Sequence, residues 1–167
     1  MGFVGYLGPW IDFELLGQLA STLPEFVFEL VGPVDPSVAT QAAVLARHPN
    51  VRLTGAIPEA EVPHALATFS VGLIPFLIGP YTRAVNPNKL YEYAAWNLPI
   101  VTTPFSPDVT QFRPEVDVCA TTADFVHAVR DRANGLGGAS TRWIAETHTW
   151  QAITERFAHL LERAIDE

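Results

Sequence analysis

The sequence predicts an α/β fold, a Rossmann-like doubly wound parallel sheet of about six strands with helices on both faces. Two observations carry that prediction. Short apolar runs alternate along the chain with segments of helical period, the rhythm of successive βαβ units. The runs themselves, such as FVFELV at 26–31 and VGLIPF at 71–76, are almost uninterrupted in apolar residues, as strands buried on both faces are. The 167 residues are enough for one domain with a full hydrophobic core, so residues 1–167 are read as a single unit.

The elements follow in order. Phe3 to Leu7 is a short strand run ending at Gly8, and helical spacing holds from Phe13 to Leu23, with Asp12 as the natural N-cap. Phe26 to Val31 closes on Gly32-Pro33, a strand running into a turn. Val38 to Arg47 is helical until His48-Pro49-Asn50, and Val51 to Thr54 is a strand stopped by Gly55. Glu59 to Phe69 is a helix that accepts Pro63 near its start, and Val71 to Phe76 is the fourth strand. Ile100 to Thr103 and Val116 to Ala120 complete the strand set, and Thr122 to Ala133 is helical. The glycine-rich run 134–138 reads as a surface turn, since no strand leads into it. Trp150, Ile153, Phe157, Leu160 and Ala164 share one face of a final amphipathic helix.

Composition narrows the function. A formal net charge of -8 argues against nucleic acid, and no apolar run reaches the ~20 residues of a membrane helix. No secretory signal is visible, and the single cysteine, Cys119, rules out an internal disulfide framework; both fit a cytoplasmic setting. The five histidines show no metal-ligand spacing, there is no Asp-x-Asp pair, and no Gly-x-Ser-x-Gly elbow is present, so neither metal nor cofactor is expected. Gly-x-Gly-x-x-Gly is likewise absent after the first strand, which weakens a dinucleotide reading.

The segment Thr82 to Thr103 carries the chemistry. Asn86 is placed as N-cap and Pro87 as the first helical residue, which sets Lys89 in the first turn, against the positive end of the helix dipole. A bound anion would reverse that penalty, because free amides at a helix start beside a lysine suit phosphate. Glu92 lies three residues on and shares the face of Lys89, so an exposed ion pair is the plain alternative. In doubly wound sheets ligands bind at the carboxyl ends of the strands, where strand order reverses. The loops at Gly8-Pro9-Trp10, Gly55-Ala56-Ile57, 77–86 and 104–108 leave such ends, and they offer Arg83, Lys89 and Glu92 to a molecule carrying phosphates and a sugar. Trp10 is the tryptophan on such a loop.

The run VNPNKLYEYAAWNLPIVTT resembles the donor-binding segment of retaining glycosyltransferases of GT-B architecture, the group 1 or family 4 type, through Pro87-Asn88-Lys89-Leu90-Tyr91-Glu92-Tyr93 and Pro99-Ile100-Val101. YLGPWIDFELL looks like the first strand, glycine loop and helix of the same C-terminal domain, and VRLTGAIPEAEVPHAL looks like its third strand and base-binding loop. The resemblance implies glycosyl transfer from a nucleotide-sugar, a UDP- or GDP-sugar, to an unknown acceptor. Carried over by position, Lys89 and the amides near Asn88 hold the pyrophosphate, and Glu92 binds the ribose hydroxyls. Gly8 lets the first loop approach the donor, and the backbone around Ile57 meets the base. It also implies an N-terminal GT-B domain as partner, without which the chain is inactive. The family's paired-glutamate position is Ala84 here, and the basic residues often found after the first strand are replaced by Pro9-Trp10-Ile11-Asp12, so Arg83 is a candidate substitute cation. The alternative is a non-catalytic domain of the same fold with a degenerate donor site.

Overall fold

The computed structural model describes residues 1–165. Six strands form one all-parallel sheet: β1 (Gly2–Val4), β2 (Phe28–Val31), β3 (Val51–Gly55), β4 (Gly72–Ile74), β5 (Ile100–Thr102) and β6 (Val116–Val118). Their spatial order is β3-β2-β1-β4-β5-β6, so the strand order reverses between β1 and β4. The expected doubly wound sheet is the observed one.

Eight α-helices accompany it among the described residues: α1 (Phe13–Thr22), α2 (Ala39–Leu45), α3 (Val62–Ala67), α4 (Asn88–Ala95), α5 (Pro107–Thr110), α6 (Thr122–Ala133), α7 (Arg142–Thr147) and α8 (Trp150–Ile165). Right-handed crossovers send α1 and α2 to one face of the sheet and α3 and α4 to the other. α6 joins α1, and α7 packs on α4. Between these layers Phe3, Leu30, Leu73, Ile74, Ile100 and Val101 are wholly buried, as strands covered on both faces require. Edge strand β3 differs, because Arg52 and Thr54 are exposed.

Capping follows local chemistry at two helices. Asp12 accepts the Leu15 amide at 2.9 Å and starts α1 as expected, and Thr121 accepts the Asp124 amide at 3.1 Å to start α6. α4 corrects the sequence reading. Its N-cap is Pro87, with ψ of 120°, and no side chain caps it, while Asn86 stays exposed in the preceding loop. Proline's fixed φ suits either the N-cap or the first helical residue, and here the extended ψ decides for the cap. Lys89 remains in the first turn, one residue nearer the helix start than expected.

β1 is also shifted. It ends at Val4, and the chain turns at Gly5, whose φ is +139°, rather than continuing to Gly8. Two short helices, α5 and α7, lay outside the sequence reading. Asn97, at φ +52°, holds the turn into α7, accepting from the Ser140 hydroxyl at 2.7 Å and the Thr141 amide at 3.1 Å, while the Thr141 hydroxyl donates to the Leu98 carbonyl at 3.1 Å and Ile144 is buried. The apolar face of α8 is open among the described residues, with Trp150 85% and Phe157 61% exposed. The side chain of Ala164, also assigned to that face, lies outside the described residues.

Candidate donor site

The parting of β1 and β4 is where the chemistry-bearing residues collect. The two strands are in register only at Gly2 and Gly72. Beyond that pair the buried Tyr93 of α4 enters the gap, its hydroxyl accepting from the Val4 amide at 3.0 Å and reaching the Leu73 carbonyl at 3.4 Å. Gly72 gives the Tyr93 ring its room, since a Cβ there would lie 2.5 Å from the ring. Burial pushes the Tyr93 phenol well above its ordinary range, so it stays a neutral hydroxyl.

One turn earlier on α4, Lys89 extends across the mouth of the same gap. Its ammonium stands 5.2 Å from the centroid of the Phe3 ring, and a Cβ on Gly5 would collide with Lys89 Cε and Nζ. Glycine at position 5 is therefore required twice, by the positive φ and by the lysine lying on it. Burial lowers the Lys89 pKa, and the nearby Glu92 carboxylate raises it in part. The Lys89–Glu92 ion pair suggested by spacing is not formed: among the described residues the salt bridges are His127–Asp131, Arg132–Asp117 and His159–Glu162. Lys89 faces inward to Gly5 while Glu92 is exposed, so the two share a face without meeting. Lys89 is thus half-buried beside the Phe3 ring, with no carboxylate in salt-bridge distance among the described residues.

The floor beside Lys89 is backbone. Gly5, Gly32 and Gly55 end β1, β2 and β3 with φ of +139°, +141° and +76°. Gly5 donates to the Val31 carbonyl at 2.8 Å, and Gly32 donates to the Gly55 carbonyl at 2.8 Å, so the three turns are tied in a row. A Cβ on Gly32 would strike the Gly5 carbonyl. Sequence reasoning selected Gly8 for the close approach and passed over Gly5 and Gly32; the available signal was that three successive strands each end in glycine. Gly8 is instead covered by Trp10, whose indole would lie 2.6 Å from a Cβ placed there. The half-buried Ile57 follows directly after this row, at the β3 end.

The remaining calls are distributed unevenly. Asn88, Lys89 and Trp10 border one pocket of about 230 Å³ between the loops that follow β1 and β4. Arg83 does not join them. It faces a separate space of about 690 Å³ lined by Pro104, Phe105 and Ser106, with the short 3-10 turn Thr82–Ala84 between the two. Ile57 borders a third hollow, with Glu29, Glu61 and His64. A groove of about 1,020 Å³ between α1, α2 and α6 contains none of the predicted residues. Among the described residues no group of three or more His, Cys, Asp or Glu side chains is arranged to hold a metal, and no helix is long and apolar enough to cross a membrane.

A parallel sheet of order 3-2-1-4-5-6 with helices on both faces defines a Rossmann-like domain. Residues 2–136 match the family model of glycosyl transferases group 1, and the chain belongs to that family. It is 31% identical over 161 residues to Bacillus subtilis (strain 168) TuaH, named as a glycosyltransferase of teichuronic acid biosynthesis, covering 92% of this chain and 40% of that protein. Among solved structures it is similar to AviGT4, a glycosyltransferase involved in avilamycin A biosynthesis, with a TM-score of 0.73 and 20% identity over 99% of this chain and 51% of that one. It is also similar to Anabaena HepE in complex with UDP-glucose, with a TM-score of 0.64 and 14% identity over 97% of this chain and 48% of that one. The chain thus spans about half the length of the relatives it matches or less.

Proposed function

We propose that this chain is the donor-binding half of a glycosyltransferase, holding a nucleotide-sugar while a second, N-terminal domain presents the acceptor. The observation that carries this reading is Lys89 lying across Gly5 at the reversal of strand order. In this reading the pyrophosphate rests on the Lys89 ammonium and the first amides of α4 at Asn88, over the Gly5 turn. Glu92, exposed one turn along the helix, takes the ribose hydroxyls. The base lies beyond the glycine row, against the backbone around Ile57. The name of HepE's complex with UDP-glucose supports a UDP-sugar as the donor, and a GDP-sugar fits the same phosphate chemistry.

The reaction is displacement at the anomeric carbon with the nucleoside diphosphate leaving. Negative charge develops on the diphosphate as that bond breaks, and a fixed ammunition of positive potential is what stabilises it: a preorganised lysine and helix amides, needing no reorganisation at the moment of reaction. Gly8 contributes by admitting the Trp10 indole to the first loop rather than by touching the donor. Arg83, facing another space, is left outside the diphosphate contacts and is open to the acceptor side. The setting proposed for the whole enzyme is cytoplasmic, where nucleotide-sugars are found.

Thermal shift with UDP and GDP at millimolar concentration tests the reading. A rise in Tm with either nucleotide is expected, lost in Lys89→Ala and in Glu92→Ala, and kept in Arg83→Ala. No response to either nucleotide would instead favour a non-catalytic domain with a degenerate donor site, the reading to which Ala84 and the absence of basic residues from the first loop lend support.

A further inference from the structure

The exits of β4 and β5 form a second gap at the carboxyl edge of the sheet, one strand beyond the parting that holds Lys89. Its floor is closed by packing and hydrogen bonds. The Phe76 and Phe105 rings pack at 4.9 Å, and the Thr103 hydroxyl donates to the Phe76 carbonyl at 2.5 Å. The loop after β4 is tied as well. The buried Thr82 hydroxyl donates to the Leu77 carbonyl at 2.6 Å and accepts the Gly79 amide at 3.0 Å, while the Arg83 amide donates to the Gly79 carbonyl at 3.0 Å. Arg83 therefore stands on a loop fixed from within.

Between the loops after β4 and β5 lies the space of about 690 Å³. Pro80, Pro104, Pro107 and Phe105 give it apolar walls, Arg83 is the one cation on its border, and no carboxylate borders it among the described residues. Arg83 makes no salt bridge among the described residues. Ser106 borders the same space, is 2% exposed, and carries a hydroxyl with no hydrogen-bond partner. Among the described residues it is the one buried side-chain polar atom in that state. Ser106 precedes α5 as its N-cap, yet its side chain accepts no amide of that helix. A buried hydroxyl left unbonded costs free energy that a ligand atom returns.

The chemistry of the space selects its ligand. A guanidinium meets a planar carboxylate with two parallel hydrogen bonds. One cation balances one carboxylate, whereas a phosphate monoester brings a charge of about -1.5 to -2. Apolar walls, and a volume within the roughly 300–1,000 Å³ of small-molecule sites, hold a ring rather than a bare ion. A pyranose sets C–H groups against such walls and offers hydroxyls to the serine.

We propose that this space is a second sugar site, for a sugar acid carried by the acceptor, with Arg83 taking its carboxylate and Ser106 bonding a ring hydroxyl. The assignment of that sugar to the acceptor rests on the donor-binding reading above. The turn Thr82–Ala84 separates this space from the pocket that Lys89 borders, so donor and acceptor flank one short segment of chain. Arg83 thus selects an acidic acceptor and takes no part in holding the diphosphate.

Amide-resolved NMR titration of the chain with methyl β-D-glucuronide, methyl β-D-glucoside and inorganic phosphate tests it, with UDP titrated in parallel. The glucuronide at millimolar concentration shifts amides within 78–83 and 104–110, with UDP present or absent. The neutral glucoside binds at least about tenfold more weakly. Arg83→Ala weakens the glucuronide by about tenfold or more and leaves UDP within about twofold. Ser106→Ala weakens the glucuronide by about two- to tenfold. It melts no lower than wild type, because the hydroxyl it removes has no partner, and that separates a binding loss from a folding defect. Equal binding of glucuronide and glucoside, or of glucuronide to wild type and Arg83→Ala, overturns the proposal. Phosphate binding as tight as that of the glucuronide, and lost in Arg83→Ala, makes the space a plain anion site and overturns the sugar acid. Glucuronide binding without UDP binding leaves the sugar-acid site standing and overturns the donor reading.

Discussion

The Tyr93 hydroxyl accepts the Val4 amide at 3.0 Å, at the point where β1 and β4 cease to be in register. A side chain thereby satisfies a buried strand amide that the neighbouring strand has left behind. The same helix delivers Lys89 four residues earlier to the outer end of the same gap. Fold and candidate site are joined through that helix.

Tyr93→Phe keeps the ring and orphans the Val4 amide. The expected cost is about 1–3 kcal/mol, the penalty for an unsatisfied buried donor. Chemical denaturation measures it directly, and a variant as stable as wild type would show that the amide finds another partner.

Gly5→Ala places a methyl group where Lys89 lies, on a backbone at φ +139°. Strain of this kind costs about 1–3 kcal/mol. The displaced ammonium lowers UDP affinity by about tenfold or more, equivalent to about 1.4 kcal/mol. Gly55→Ala is the control, since nothing lies within 4 Å of a Cβ there and only its φ of +76° opposes the change.

Lys89 gives the site a pH dependence. Its folded pKa lies below the ordinary 10.5, burial being the larger cause and Glu92 opposing it. A lysine whose folded value is lowered costs stability while it is protonated, and that cost disappears as pH rises through the folded value toward 10.5. Diphosphate binding follows the opposite course: it is constant below the folded pKa and falls above it, because the anion requires the ammonium. Lys89→Met is expected to raise the stability of the ligand-free chain by about 0.5–2 kcal/mol at neutral pH while removing UDP binding. Paired melting and titration experiments from pH 7 to 10 check both signs.

Cys119 is buried, and burial, with the Asp117 carboxylate nearby, pushes its thiol up to about 11. It is therefore unreactive in the folded chain. Iodoacetamide at pH 8 is expected to modify it at least tenfold faster in denaturant than in buffer, and mass spectrometry reads the difference.

Much of the fold is legible in the sequence alone. The strand and helix alternation was plain because buried parallel strands are apolar throughout, and Asp12 announced α1 through ordinary capping chemistry. α5 and α7 were not, since helices of four and six residues leave too short a period to read. Asn97 holds the turn into α7 by contacts to residues 140 and 141, a relationship that no local pattern contains.

The candidate site divides in the same way. The sequence by itself determined the strand–loop–helix grammar, the family and the presence of a lysine at the start of α4, because each depends on neighbours within a few residues. Only the tertiary structure decided that Lys89 meets Gly5 rather than Gly8, that Arg83 turns to a different space, and that Trp10 lies between Tyr6 and Tyr81. Those pairings are set by strand order, which brings the ends of β1 and β4 together across some 70 residues of chain. The physical reason is that a side chain's partner is chosen by the packing of whole crossover units, and spacing along the chain carries no record of it.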